Sequence, residues 1–145
     1  MEPQEVVQAF FDTLNRSGPE AAAAYMADNF VMEQPGAPPV QSSKAWLAGQ
    51  AMWRASFPDI RYTFELHGVE GNHVRGRSQG TGTHTRDLDL SPLGKGVVAA
   101  TGKVVTASQV NDFVVEGGRI VSNTVKLDAG GGIAGVLAQL GVDMS

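Results

Sequence analysis

The order of helical and strand patterns predicts an α+β fold. Apolar residues at helical spacing dominate the first 56 residues, and alternating patterns dominate residues 60–127. Helices gathered ahead of strands, without βαβ alternation, are typical of a mostly antiparallel sheet covered by helices. The two longest predicted strands, residues 103–115 and 119–127, flank a Glu116-Gly117-Gly118 turn, whose glycines suit a hairpin. Strands of this length favour a strongly curved sheet.

Three helices are predicted ahead of the main strands. The first carries apolar residues at helical spacing, namely Val6, Val7, Phe10, Phe11 and Leu14. Ser17-Gly18-Pro19-Glu20 matches a capping box and predicts a second helix over residues 20–26. A third helix, capped by Ser42 or Ser43, is predicted to run to about Ser56.

Strands and a short C-terminal helix complete the predicted domain, which spans residues 1–145. A small strand over residues 30–34 precedes the third helix, and residues 60–66 alternate as a half-buried strand should. A strand over residues 73–84, a long loop over residues 87–100 and the hairpin follow. The tail helix is predicted from the spacing of Ile133, Val136, Leu137 and Leu140.

Composition excludes several classes of function. The 145 residues carry a formal net charge of −4 and no cysteine. Disulfides, thiolate catalysis and cysteine-bound metals are therefore excluded. The mild acidity argues against nucleic acid or an anionic membrane as a partner. Without a signal-like start or an apolar run of membrane-spanning length, the sequence predicts a cytoplasmic protein.

Five short motifs carry a resemblance to a known family. They are Phe57-Pro58-Asp59-Ile60, Gly80-Thr81-Gly82-Thr83-His84-Thr85, Thr101-Gly102-Lys103, Gly118-Arg119-Ile120-Val121 and Gln139-Leu140-Gly141-Val142. In this order they resemble the SnoaL-like polyketide cyclase (ester cyclase) branch of the NTF2-like superfamily, over nearly the whole chain. The resemblance implies a cone-shaped α+β barrel, with a strongly curved sheet wrapped on three helices around a deep apolar pocket. It also implies chemistry without metal or organic cofactor, and frequent homodimers.

The positions that hold acids and bases in such relatives hold other residues here. The resemblance aligns Gln34 with the base of the ketosteroid isomerases, and Asn111 and Phe10 with their oxyanion-binding acid and phenol. It aligns Asn111 and Val125 with the acid/base pair of the cyclases. None of these side chains ionises. A proton-abstraction mechanism copied from either relative is therefore not expected.

Neutral amides are the alternative polar groups for a pocket. Gln109, Asn111 and Phe113 share one face of their strand, although the sequence leaves open which face that is. If Val125 points inward, Asn123 does so too. Amides donate and accept hydrogen bonds, so they can polarise a carbonyl without net charge. Alternatively, they satisfy backbone groups of a wide sheet.

Asp128 and His84 are the ionisable candidates. By resemblance, Asp128 matches the Asp that closes the last strand, where it serves either as a general acid or base or as a cap of the following turn. His84 either titrates at the pocket edge or is a partly solvated strand-end residue. His67 and His73 lack ligand spacing with it, so no metal site is expected. The predicted catalytic residues are Asp128, Asn111 and Asn123.

The remaining side chains of the predicted pocket are expected to bind substrate. They are Gln34, Gln109, Trp46, Trp53, Tyr62, Phe64, Phe30, Met26, Phe113, Val125 and His84. The first hypothesis is a cofactor-free cyclase acting on a polyketide or similar apolar ring precursor. The second is a non-catalytic carrier or sensor of a small apolar, polyketide-like or steroid-like molecule. A third keeps the scaffold but changes the reaction to isomerisation, hydration or epoxide hydrolysis.

Overall fold

A computed structural model describes residues 1–36, 38–91, 96–128 and 131–141. Parts of the predicted loop 87–100, Gly130 and the motif residue Val142 lie outside them. The helices are α1 (Pro3–Ser17), α2 (Pro19–Ala22), α3 (Ser43–Ser56) and α4 (Gly132–Gln139). The strands are β1 (Met26–Glu33), β2 (Arg61–Glu70), β3 (His73–Thr83), β4 (Leu88–Asp89), β5 (Val97–Val98), β6 (Val104–Glu116) and β7 (Arg119–Leu127).

Five strands form one mainly antiparallel sheet in the order β1-β7-β6-β3-β2. Only the β1–β7 pair is parallel within this sheet. Across the described residues β1 and β2 remain its two edges, so the strands do not pair into a closed barrel. The predicted α+β fold, with helices packed on a mainly antiparallel sheet, is confirmed. β4 and β5 pair with each other within the segment predicted as a long loop.

The second helix is where the prediction from sequence is wrong. Gly18, with φ 93°, is the N-cap of α2 and supplies no side chain, so the predicted capping box does not form. α2 ends at Ala22, a 3-10 turn follows, and β1 already begins at Met26. Met26 lies opposite Ile120 of β7, and both side chains are buried. Pairing and burial there outweigh the helix propensity of the alanine run.

The apolar core has two parts. One joins α1 to the sheet and contains Val6, Val7, Phe10, Phe11, Leu14, Met26, Phe30, Trp46, Phe113 and Ile120. The other gathers Phe57, Leu88, Leu90 and Val105 with three residues of the tail helix region, Val136, Leu137 and Leu140. The apolar stripe of α1 is buried as its spacing predicts, because every third or fourth residue faces the sheet.

Asn15 fixes the position of β2 against α1. Its Nδ2 donates to the backbone oxygen of Tyr62 at 2.7 Å, and its Oδ1 accepts from the Tyr62 N–H at 2.8 Å. Both backbone groups of Tyr62 are thus held by one side chain. This pair of hydrogen bonds holds the Tyr62 backbone in the position from which its ring points to the interior.

None of the helices in the described part of the chain is long and apolar enough to cross a membrane. The dimerisation that the resemblance implies stays a prediction.

Candidate active site

A cavity of about 400 Å³ opens between the helices and the inner face of the sheet. Members of both parts of the core line it. Its aromatic wall consists of Phe10, Phe11, Phe30, Trp46, Trp53, Phe57, Tyr62 and Phe113. Apolar walls of this kind exclude water and strengthen any polar contact made inside.

The inner face of β3 carries only small residues over four alternate positions: Gly76, Ser78, Gly80 and Gly82. A Cβ on Gly80 would lie 3.0 Å from Cε1 of Tyr62, and one on Gly82 would lie 3.0 Å from Cβ of Phe57. The rings therefore lie directly over the backbone of β3. This close approach leaves room for the cavity on the other side of the rings.

A cluster of neutral polar groups forms the sheet side of the cavity. Asn111 Nδ2 donates to Ser78 Oγ at 2.8 Å, and Asn123 Nδ2 donates to Asn111 Oδ1 at 3.3 Å. Gln109 Nε2 donates to the same Asn111 oxygen at 3.2 Å. Asn111 and Asn123 are only 1 % and 6 % exposed. Strand alternation and register turn all four side chains to the inner face.

No described residue that lines the cavity carries a carboxylate, an ammonium, a guanidinium or an imidazole group. Among the described lining residues Tyr62 is the one with an ionisable side chain, and its hydroxyl donates to Gln50 Oε1 at 3.1 Å. Burial raises the pKa of Tyr62, while the Gln50 bond and the charge of Arg54 lower it by less. The phenol therefore keeps its proton near neutral pH.

Asp128 does not reach this cavity. Its carboxylate lies on the outer face of the sheet, 3.0 Å from Arg77 Nε, and accepts from Ser108 Oγ at 2.9 Å. The carboxylate therefore does not lie where proton transfer at the cavity mouth was predicted. The reason is alternation: Ser78, Gln109 and Asn111 point inward, so Arg77 and Ser108 point outward and draw the carboxylate to their side. Of the described residues, Gly131 donates its N–H to the backbone oxygen of Asp128 and not to the side chain.

His84 also lies outside the lining. Its side chain is fully buried, and its ring stacks on Phe57 with centroids 5.3 Å apart. The Thr101 N–H donates to Nδ1 at 3.2 Å, so Nδ1 is an acceptor and Nε2 carries the ring hydrogen. Nε2 has no partner among the described residues. The alternative of a partly solvated strand-end residue is therefore wrong, and His84 is not among the described residues that line the cavity.

Two further predicted pocket residues belong to the packed core instead. Phe64 stacks on Phe11 at 5.1 Å and covers Gly76. Val125 is 3 % exposed on the inner face but does not line the cavity. The other predicted residues do lie in the lining: Gln34, Gln109, Asn111, Asn123, Met26, Phe30, Trp46, Trp53, Tyr62 and Phe113.

Three further residues of the lining, Ser78, Gly49 and Gln50, were not predicted as pocket residues. Ser78 shares the inner face of β3 with Gly80 and Gly82, and the alternation of small residues was the available signal. Gln50 and Gly49 lie on the cavity side of α3. Their spacing predicts one stripe of the third helix shared with Trp46 and Trp53, and that shared stripe was the available signal.

The family-like motifs connect segments around the cavity. The carboxylate of Asp59 accepts both the N–H and the hydroxyl of Thr83 at 2.7 Å. These bonds lower the pKa of Asp59, the backbone bond most. The His84 N–H donates to the Lys103 oxygen at 2.9 Å, and the Gly102 N–H donates to the His84 oxygen at 2.8 Å. Three motifs thus meet at one end of β3.

The described residues bring together no group of three or more His, Asp or Glu side chains that could hold a metal ion.

Comparison with known families identifies the class of protein. The family model of the SnoaL-like polyketide cyclases matches residues 4–140. The chain therefore belongs to the SnoaL-like polyketide cyclase family. Among curated proteins, no sequence matches the chain.

Solved structures show the same NTF2-like fold. IdmH, a candidate polyketide cyclase from Streptomyces antibioticus, is 26 % identical, with a TM-score of 0.74 over 98 % of this chain and 100 % of its own. A candidate SnoaL-like polyketide cyclase from Jannaschia sp. CCS1 is 19 % identical, with a TM-score of 0.75 over 97 % and 92 %. AclR, a candidate hydroxylase from Streptomyces galilaeus, is 18 % identical, with a TM-score of 0.74 over 96 % and 95 %.

Proposed function

We propose that this protein is a cofactor-free cyclase that folds a polyketide-like chain inside its cavity and promotes ring closure. The observation that carries the proposal is a cavity of about 400 Å³ with aromatic walls, neutral amides and no charged side chain in its described lining. Family membership and the 26 % identity to IdmH support the same class of reaction.

An intramolecular aldol addition suits such a site because it needs no net acid or base. The carbon of an enol forms a bond to a ketone carbon of the same chain. The enol oxygen gives up its proton and becomes a ketone, and the oxygen of the attacked ketone takes up one proton to become a hydroxyl. The product is an isomer of the substrate. Holding the chain folded supplies much of the rate, since well-oriented intramolecular reactions gain about 7–11 kcal/mol.

A carrier or sensor function is the second candidate. It is favoured by the same lack of carboxylates and histidines in the lining, because superfamily enzymes that move protons need an ionisable group in the pocket. A carrier would bind an apolar ligand and release it unchanged.

Blocking the cavity separates a cavity function from one elsewhere. Gly49 lines the cavity, and a Cβ on it would meet no atom within 4 Å, so Gly49→Phe places a ring there without a backbone clash. We expect the neutral dye N-phenyl-1-naphthylamine to bind the native protein and to bind Gly49→Phe at least a hundredfold more weakly. Ala48→Phe, at an exposed neighbouring position, is the matched control and should bind normally.

Turnover separates the cyclase from the carrier. A linear 1,3,5-triketone is incubated with the native protein and with both variants, and its cyclic isomer is measured by chromatography and mass spectrometry. The proposal predicts ring closure by native protein and Ala48→Phe, and at least a hundredfold less by Gly49→Phe. Binding of the triketone without any cyclic isomer would contradict the cyclase and favour the carrier.

A further inference from the structure

The polar cluster on the sheet has a fixed hydrogen-bond direction. Asn111 Nδ2 lies 3.4 Å from the backbone oxygen of Gln109, which can only accept. Exchanging the oxygen and nitrogen of the Asn111 amide would set two oxygens against each other there. The Asn111 amide therefore points its nitrogen to the backbone oxygen of Gln109 and to Ser78 Oγ.

This orientation determines what Asn123 offers the cavity. Asn111 Oδ1 must face Asn123, so Asn123 turns its nitrogen toward Asn111, at 3.3 Å. The other Asn123 atom, Oδ1, is then left as an acceptor. It is buried, and no described residue donates to it. An unpaired buried acceptor is destabilising, so it is an unusual feature in a native interior.

Asn111 itself has little left to offer a ligand. Its amide hydrogens go to Ser78 Oγ and to the Gln109 oxygen, and its Oδ1 accepts from Gln109 and Asn123. It is a positioning residue. Because Ser78 Oγ accepts from Asn111, the hydroxyl hydrogen of Ser78 remains a donor, as do the second amide hydrogens of Gln109 and Asn123.

We infer that the ligand of this cavity brings a hydrogen-bond donor, an enol or other hydroxyl on an apolar framework, to Oδ1 of Asn123. This inference rests on the proposed function for its site and adds an acceptor to the expectation that the amides donate to a carbonyl. A ligand that offers only a carbonyl leaves Asn123 Oδ1 unpaired. An enolised 1,3-dicarbonyl satisfies it and offers a second oxygen to the Ser78 hydroxyl.

Three probes of one shape test the inference by affinity. 2-Naphthol offers a donor, 2-methylnaphthalene offers no polar group, and 2-naphthaldehyde offers only an acceptor. We expect 2-naphthol to bind the native protein at least tenfold more tightly than 2-methylnaphthalene, although it is the less apolar of the two. In Asn123→Leu, which has similar volume and no acceptor, the two dissociation constants should become equal within about twofold, whereas the affinity of 2-naphthaldehyde should not fall.

The matched control is Gln79→Leu, which also replaces an amide by leucine but on the exposed outer face of β3, where the tenfold preference should persist. Asn123→Ala, which leaves space rather than filling it, should abolish the preference as Asn123→Leu does, and circular dichroism confirms that each variant folds.

Equal affinities for 2-naphthol and 2-methylnaphthalene, with both displaced by N-phenyl-1-naphthylamine, would overturn the inference and leave the proposed function standing. A preference for 2-naphthaldehyde that depends on Asn123 would also overturn it. Failure of all probes, with unaltered dye binding in Gly49→Phe, would remove the cavity site and both proposals together.

Discussion

The two faces of the central strands differ in chemistry although they alternate along the same segments. On the inner face, Ser78, Asn111 and Asn123 form a buried cluster without charge. On the outer face, Arg77 binds Asp128 with Nε and Oδ2 3.0 Å apart. Asp112 accepts on the same face from His73 Nδ1 at 3.0 Å, and Arg75 Nε lies 3.6 Å from it.

This difference shows how one strand can serve two purposes. A charge on the outer face keeps much of its hydration, and the pair costs little to form. The same charge on the inner face would be desolvated by the surrounding aromatic side chains and would need a charged or hydrogen-bonding partner there. The period of two in strand geometry therefore separates a charged, hydrated face from an uncharged face that lines the cavity, residue by residue.

The largest stability effect should come from filling the inner face of β3. A Cβ on Gly76 would lie 2.5 Å from Cζ of Phe64 and would also collide with the Glu65 backbone oxygen. We expect Gly76→Ala to lower the free energy of unfolding by about 2–3 kcal/mol, since overpacking forces side chains and backbone to shift. Urea denaturation measures it. Gly68→Ala, on β2 where a Cβ would meet nothing within 4 Å, should change it by less than about 0.5 kcal/mol. Equal effects at both sites would show that the inner face is not crowded.

Breaking the outer ion pair should have a smaller effect. Asp128→Asn removes the charge that faces Arg77, whose side chain is 48 % exposed. We expect a loss of about 1 kcal/mol or less in unfolding free energy, shrinking at high salt, because exposed ion pairs contribute little. Triketone cyclisation should remain within about twofold of native, as the carboxylate lies outside the cavity. A hundredfold loss of turnover in a folded variant would restore Asp128 as a proton carrier.

The pH dependence of the inner face should be confined to alkaline conditions. Burial raises the pKa of Tyr62 above its usual value of 10.0. A raised folded-state pKa means that this contribution to stability is fully present below pH 10 and is lost as pH rises through the folded value. In Tyr25→Phe, which leaves Tyr62 as the one tyrosine of the chain, phenolate absorbance should appear above pH 10. Titration at or below pH 10 would mean that water reaches the phenol freely.

Local patterns predicted most of the elements and the inner-facing amides. Alternation alone placed Gln109, Asn111 and Phe113 on one face, and only the register with β3 decided that this face is the inner one. The start of β1 was not predictable in this way. Its pairing with β7 joins residues almost a hundred positions apart, and the local alanine-rich sequence favours a helix.

The placement of Asp128 and His84 needed tertiary contacts. Asp128 and Arg77 are 51 positions apart, so no short motif records their ion pair. His84 sits in a motif that the family resemblance singled out, yet its role is to join strand ends through Thr101 and Lys103. A family motif can therefore identify residues that connect strand ends as readily as residues that react.

The bond between Asn15 and the backbone of Tyr62 has a consequence for self-association. β2 is an edge strand, and an edge offers free N–H and C=O groups to any extended segment of another molecule. At Tyr62 both groups already bind the α1 side chain, at 2.7 and 2.8 Å. A strand of another molecule that paired at this position would first have to displace Asn15. The helix that holds the cavity wall therefore also hinders edge-to-edge aggregation at this point of β2.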